Sequence, residues 1–271
     1  MAGEPKFFSK NFADAETMIS FVPGFPLGGD GVGAATLYRL FDRDTEGLKW
    51  RAGLPSSFAY QILFEFNSGG QGIARTFDTV ILVGHNASSF TLRRWDGGAV
   101  YTSIFVGAET PGTNKVTVMS VGANTSQKIR LDLSATGLPG SPNFEATEIF
   151  VLSTKFAFPT DQGPSRIDFG PVPTSVISGM ADKGQIVNML RWAGNRVERF
   201  RARVGFNLLA KADYDSLRQL VRDGLFTCYL EPVERPSEIF TVTATPGGAP
   251  SAYSSLYKAN GYDLSLELEE H

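Results

Sequence analysis

Arg199-Phe-Arg-Ala-Arg-Val-Gly-Phe206 sets Phe200, Ala202, Val204 and Phe206 at alternate positions, with Arg199, Arg201 and Arg203 between them. A period of two sends successive side chains to opposite faces, so this stretch reads as a strand with one apolar and one basic face. Tyr262-Asp-Leu-Ser-Leu-Glu-Leu268 alternates in the same way, with Asp263, Ser265 and Glu267 on its polar face. Between these strands Tyr214, Leu217, Leu220 and Val221 recur at helical spacing. Asp213 and Asp215 favour the first turn of that helix, and Gly224 supplies a left-handed stop, so the spacing predicts a helix from about Lys211 to Asp223. Leu225-Phe-Thr-Cys-Tyr-Leu230 and Glu238-Ile-Phe-Thr-Val242 add two more strands. Residues 165–271 therefore read as a β-sandwich or barrel carrying one α-helix.

The first half is built differently. Short β runs occur at Tyr60–Phe66, Thr79–Val83, Phe90–Trp95, Lys115–Met119, Lys128–Leu133 and Thr147–Leu152, broken by Gly, Asn, Ser or Pro at intervals that suit hairpins and Greek-key crossings. That is the pattern of a β-sandwich over residues 1–157. The stretch from Phe158 to Ser165 is rich in turn formers and serves as the candidate linker.

A chain of 271 residues is long enough to bury two cores, and 21 Phe, 29 Gly and 15 Pro favour strands joined by many turns, so the class is mainly β. A net charge of -3 gives no broad attraction to nucleic acid, and no sequence-specific nucleic-acid partner is expected. The single cysteine, Cys228, can form no internal disulfide or cysteine-based zinc cluster and reads as a buried small hydrophobe. MAGEPKFFSK lacks the apolar core of a secretory signal, and no stretch reaches the length of a membrane span. Synthesis and folding in a cytoplasm are the expectation.

The search for chemistry returns little, and no enzyme activity is expected. His85 and His271 are the only histidines; His85 follows an apolar strand, where its imidazole can bond backbone in a loop. Asp42, Asp44 and Glu46 begin an EF-hand-like pattern, yet the twelfth position is Gly53 and the closing glutamate is missing. Gly29-Asp-Gly-Val-Gly-Ala34 fits a dinucleotide fingerprint but follows Pro23 and Pro26 instead of a strand. The sequons at Asn86 and Asn124 carry little weight without a secretory signal. Arg199, Arg201 and Arg203 fit either a subunit interface paired with acidic neighbours or a phosphate-binding face.

Leu40-Phe-Asp-Arg-Asp-Thr-Glu-Gly-Leu-Lys-Trp50, the strand at Gln61–Phe66, Phe77–Asn86 and Glu148–Leu152 together resemble the galactose-binding-like (discoidin) jelly roll over roughly residues 30 to 155. The resemblance implies a structural calcium ion, the one candidate cofactor, held by Asp42, Asp44, Thr45 and Glu148. The residues by themselves read as side-chain-to-backbone turns ahead of a Trp50 anchor. It also implies carbohydrate contacts from exposed aromatic and basic residues, for which Arg93, Arg94 and Trp95 are the candidates.

The order of strand, helix and strands, with the closing Gly261–Glu270 stretch, resembles the tail-tube-like ring domain of distal or minor tail proteins of long-tailed phages. That resemblance implies a virion location at the tail tip and a homo-oligomeric ring, a hexamer, joining a tail-tube protein to a tip hub protein. The alternative is a carbohydrate-binding adhesion module that recognises a host-surface glycan.

Overall fold

The structure is a computed structural model that describes residues 5–13, 17–21, 37–41, 49–55, 60–68, 71–134, 143–158, 166–173, 178–181, 185–188, 198–246 and 262–270. The chain divides into two units. Phe8–Thr154 and Leu230–Ile239 form the first; Glu4–Phe7, Lys155–Tyr229 and Phe240–His271 form the second. The first unit is thus inserted into the second. The expected boundaries at 157 and 165 follow chain order, whereas the contacts cut across it at both ends of the inserted segment.

After β1 (Lys6–Phe8), the first unit contains β2 (Thr17–Phe21), a 3-10 helix (Leu37–Leu40), β3 (Trp50–Pro55) and β4 (Tyr60–Ser68). There follow β5 (Gln71–Gly72), β6 (Arg75–His85), β7 (Ser89–Gly97), β8 (Val100–Ala108) and β9 (Lys115–Ser126). β10 (Lys128–Ser134), β11 (Asn143–Ala146) and β12 (Glu148–Leu152) complete it. One sheet runs β2-β4-β10-β7-β8, with β5 on β4; a second runs β12-β6-β9, and β11 pairs with β3. The pairings are antiparallel, as a jelly-roll sandwich requires.

The two sheets bury different patterns because they are covered differently. β10 alternates, with Ile129, Leu131 and Leu133 buried and Lys128, Arg130 and Asp132 outside. In β6 the run Thr79–Val83 is buried without a break, as is all of β12, so these strands are covered on both faces. Trp50 meets Phe144 edge-on at 5.7 Å and is wholly buried, the anchor its sequence position implies.

The edge of β12 is closed by the segment after β1. Ser9 N donates to Ser153 O at 2.8 Å and Phe12 N to Val151 O at 2.9 Å. The buried Asn11 side chain acts as a further strand residue: its Oδ1 accepts from Ala13 N and Val151 N, and its Nδ2 donates to Ile149 O at 3.1 Å. Asp78 accepts from Thr154 N and Oγ1 at 2.9–3.1 Å.

The second unit contains β13 (Thr154–Ala157), β14 (Arg166–Pro173), the hairpin β15 (Ser178–Ala181) and β16 (Gln185–Asn188), and β17 (Glu198–Leu209). Then come α1 (Lys211–Asp223), β18 (Phe226–Tyr229), β19 (Phe240–Pro246) and β20 (Tyr262–Glu270). Its main sheet runs β13-β1-β18-β19-β20-β17-β14. Phe206 of β17 lies 6.4 Å from Phe7 of β1 and 5.4 Å from Phe156 of β13, although three strands separate β17 from β1 in the sheet. The sheet therefore curls around an aromatic core of Phe7, Phe156, Phe158, Phe206 and Phe226. β14 carries Pro171 and Pro173, which is tolerated because it ends the sheet.

α1 buries Tyr214, Leu217 and Leu220 and stops at Gly224, whose φ of 87° suits a residue without Cβ. Phe200, Ala202, Val204 and Phe206 are buried as the alternation predicts. Cys228 is buried too, and that burial pushes its thiol well above the ordinary range, as fits a packed hydrophobe.

Truncating Phe7 or Phe206 to Ala should destabilise the second unit by about 3–5 kcal/mol, because each leaves a large cavity in a closed aromatic cluster. Arg203→Ala should cost less than about 1 kcal/mol, since its ion pair with Glu267 is exposed. Urea unfolding midpoints of the three variants check this ordering.

Candidate functional site

The outer face of the β4-β10-β7-β8 sheet collects a polar and aromatic group of side chains in register. Lys128 stands opposite Glu65, Arg130 opposite Arg93, and Trp95 opposite Tyr101. Lys128 Nζ lies 3.0 Å from Glu65 Oε1 and 5.5 Å from the centre of the Trp95 ring. Arg130 lies over Tyr101, its Cζ 4.9 Å from the ring centre. Asp132 joins the two arginines: Arg93 Nε reaches its Oδ2 at 2.7 Å, and Arg130 Nε lies 3.0 Å from its Oδ1. Trp95 is fixed at its other end by Nε1 donating to Gly98 O at 2.9 Å. These side chains are half-buried, so they are ordered by one another while still reaching solvent.

Of the three residues expected to contact sugar, Arg93 and Trp95 share this face. Arg94 does not. It has the opposite strand parity, and its guanidinium bonds Asp96 at 2.9 Å and Asn124 of β9 at 3.2 Å. Hydrogen bonds from Thr102 and then Arg94 hold the Asp96 carboxyl below the usual range. The sequence reading missed Glu65, Tyr101, Lys128, Arg130 and Asp132. The signal for three of them was present, since the alternation of Lys128-Ile-Arg-Leu-Asp-Leu133 puts Lys128, Arg130 and Asp132 on one side.

A bulge shapes the neighbouring edge. The register of β7 against β8 shifts between Leu92 and Arg93, which leaves Ile104 without an opposite residue. Phe105 then turns inward to stack on Phe90, while Val106 is 73% exposed on the outer face. A Cβ on Gly107 would meet the Phe90 ring at 2.5 Å, so the inward turn depends on glycine at that position.

A second polar cluster lies at one end of the sandwich. Glu145 takes Lys49 Nζ at 2.8 Å and Arg51 Nε at 3.2 Å. Burial raises the Glu145 carboxyl, but the hydrogen bonds and charges of Lys49 and Arg51 together outweigh it and leave the group below its ordinary range. Lys49 also bonds Asn114, a residue held at φ 55°. His85 is fully buried nearby. Its Nδ1 accepts from Ala87 N at 3.1 Å, so Nε2 carries the proton and donates to Thr117 Oγ1 at 2.8 Å, and Thr117 in turn donates to Glu109. Both nitrogens are thereby committed and neither offers a lone pair to a reacting group. Burial first, then the charges of Lys115 and Lys49, push the His85 imidazole down to about 3.

The remaining sequence candidates divide by position. Asp42, Asp44 and Thr45 lie outside the described residues, and Glu148 is a fully buried residue that opens β12 opposite Val83. Among the described residues no three of His, Cys, Asp and Glu are grouped as metal ligands. Arg203 bonds Glu267 across the β17-β20 ladder and Arg201 stands opposite Glu269; the side chains of Arg199 and Arg201 lie outside the described ones. Asn86 is buried and bonds Glu145 N and Asn143 O through its amide, and Asn124 is buried likewise, so both sequon asparagines are internal. Among the described residues no helix is long and apolar enough to cross a membrane.

No family model and no curated protein matches the chain. Solved structures do. Chitosan-binding module 1 of a chitosanase/glucanase from Paenibacillus sp. IK-5 is 19% identical, with a TM-score of 0.37, covering 52% of this chain and 97% of that one. The module CpGH89CBM32-6 of Clostridium perfringens is 13% identical, with a TM-score of 0.37, covering 52% and 98%. A Ruminococcus gnavus GH29 fucosidase in complex with fucose is 15% identical, with a TM-score of 0.40, covering 53% of this chain and 26% of the enzyme.

His85 makes stability depend on pH. The unfolded chain takes up a proton near the ordinary value of 6.5 while the folded chain resists it down to about 3, so stability is complete above pH 6.5 and falls as pH drops below it. The loss should amount to roughly 2 kcal/mol between about pH 6.5 and about pH 5, a window above the carboxylates. His85→Gln should flatten that segment of the urea-derived stability profile.

Proposed function

We propose that the first unit binds carbohydrate through the outer face of its larger sheet. The observation that carries the reading is the pairing of Trp95 with Tyr101 across β7 and β8, next to the Arg93–Asp132–Arg130 group. A sugar ring presents an apolar face of C–H groups and a rim of hydroxyls. Aromatic rings fixed on a rigid sheet accept the first at little entropic cost, and guanidinium and carboxylate groups bond the second. The fixed position of each ring matters as much as its area, because Lys128 and Arg130 pack on them before any ligand arrives.

A second reading, a ring-forming component at the distal end of a phage tail, draws on the second unit. Among the described residues its curled seven-stranded sheet and helix α1 are compatible with the sandwich or barrel plus helix that the sequence resemblance implies, and the first unit is carried as an insertion in it. In that setting Arg199, Arg201 and Arg203 would face a neighbouring copy in a hexamer seated between tube and hub proteins, and the first unit would meet the host-surface glycan. Arg203 would then exchange its Glu267 partner for an acidic residue of the next copy.

The full chain should retain specific oligosaccharides on a glycan array, and Trp95→Ala or Tyr101→Ala should weaken binding by about tenfold or more, roughly 1.4 kcal/mol. Arg203→Gln should leave it unchanged. Undiminished binding by both aromatic variants would remove the sheet face from consideration. Native mass spectrometry of the same sample reports on the ring, with a hexamer supporting it and a monomer at all concentrations opposing it.

A further inference from the structure

We infer that the sheet face takes an acidic sugar, a uronate whose carboxylate is received between Arg93 and Arg130; the inference rests on the carbohydrate-binding reading above. Arg93 and Arg130 stand directly opposite one another on adjacent strands, so their guanidinium groups share one space. A single carboxylate serves both. Arg93 Nε bonds Asp132 Oδ2 at 2.7 Å, and Arg130 Nη2 reaches the same oxygen at 3.4 Å. Lys128 is matched by Glu65, which leaves the face one positive charge in surplus, centred on the arginine pair.

The hydrogen bonding is incomplete in the same place. Arg130 Nε and Asp132 Oδ1 are shut off from solvent and 3.0 Å apart, yet they are not aligned as a hydrogen bond. Among the described residues the terminal nitrogens of Arg93 and Nη1 of Arg130 have no protein acceptor. A guanidinium pair with spare, preorganised donors and one surplus charge suits a monoanionic, planar oxyanion that can take two parallel N–H bonds. A uronate adds the rest of the fit: its carboxylate sits on a ring whose apolar face can lie against Tyr101 and Trp95 in the adjoining row. Sulfate esters share the charge but are tetrahedral, and neutral sugars lack it.

The test is isothermal titration of the full chain with oligogalacturonate, a neutral galacto-oligosaccharide of equal length, and dextran sulfate. The uronate should bind about tenfold or more tighter than the neutral oligomer. That preference should shrink as salt is raised from about 50 to about 500 mM. Arg93→Gln and Arg130→Gln should weaken the uronate by about tenfold or more beyond whatever they cost the neutral oligomer, whereas Trp95→Ala should weaken both ligands alike. If Arg130→Gln does not fold, Arg93→Lys, which keeps the charge and loses the fork, should reduce the preference on its own. Equal binding of uronate and neutral oligomer, with the arginine variants unaltered, overturns the inference and leaves the carbohydrate reading standing. Dextran sulfate binding as tightly as the uronate overturns the carboxylate assignment in favour of charge alone. Failure of every oligosaccharide to bind overturns both.

Discussion

The lacing of Ser9 to Ser153 is the constraint on which the arrangement of the chain depends. Ser9 N donates to Ser153 O and Ser153 N to Ser9 Oγ, so the strand entering the first unit and the one leaving it run side by side. β1 and β13 then continue as neighbours in the second unit's sheet. A long insertion between neighbouring strands is cheap when its own fold brings its ends together, because the host sheet meets the equivalent of a short loop. Within the first unit, Asn11 and Asp78 reinforce this pairing of its ends. Each spends its polar atoms on backbone that would otherwise be an open strand edge or a bare chain exit, and each buried bond left unmade would carry the full cost of desolvation.

The strands with strict alternation were legible in the sequence, and so was the helix. Arg199–Phe206, Lys128–Leu133 and Tyr262–Leu268 bury one face each, and a period of two survives in that situation. The apolar runs in β6 and β12 were legible as strands, but not as strands covered on both sides, since a continuous run has no face to read. What the sequence did not disclose is long-range. β1 is three residues long and has no periodicity of its own; only its partners β13 and β18 make it part of a sheet. β8 lacks alternation because a bulge at Ile104 breaks it, and β14 carries prolines that argue against a strand anywhere except an edge.

The site shows the same division. Trp95 and Arg93 could be nominated from type and position, while Arg94 fell away because one residue along a strand reverses the face. Tyr101 could not be nominated, since its relation to Trp95 exists only through the β7-β8 register. The polar end around Glu145 and His85 differs in kind from the sheet face: its groups satisfy one another almost completely and hold loops in place, whereas the arginine pair retains donors to spare.

The adjoining ends of the first unit also bear on how such a chain can diverge. A unit whose entry and exit lie together behaves as a cassette, exchangeable for another of different sequence without shifting the register of β1 or β13. Leu230–Ile239 limits that freedom, because this short segment leaves the second unit's stretch of chain yet belongs with the first. Replacement of the cassette must therefore carry a matching change between β18 and β19, so those two regions are expected to vary together while the aromatic core of the second unit stays fixed.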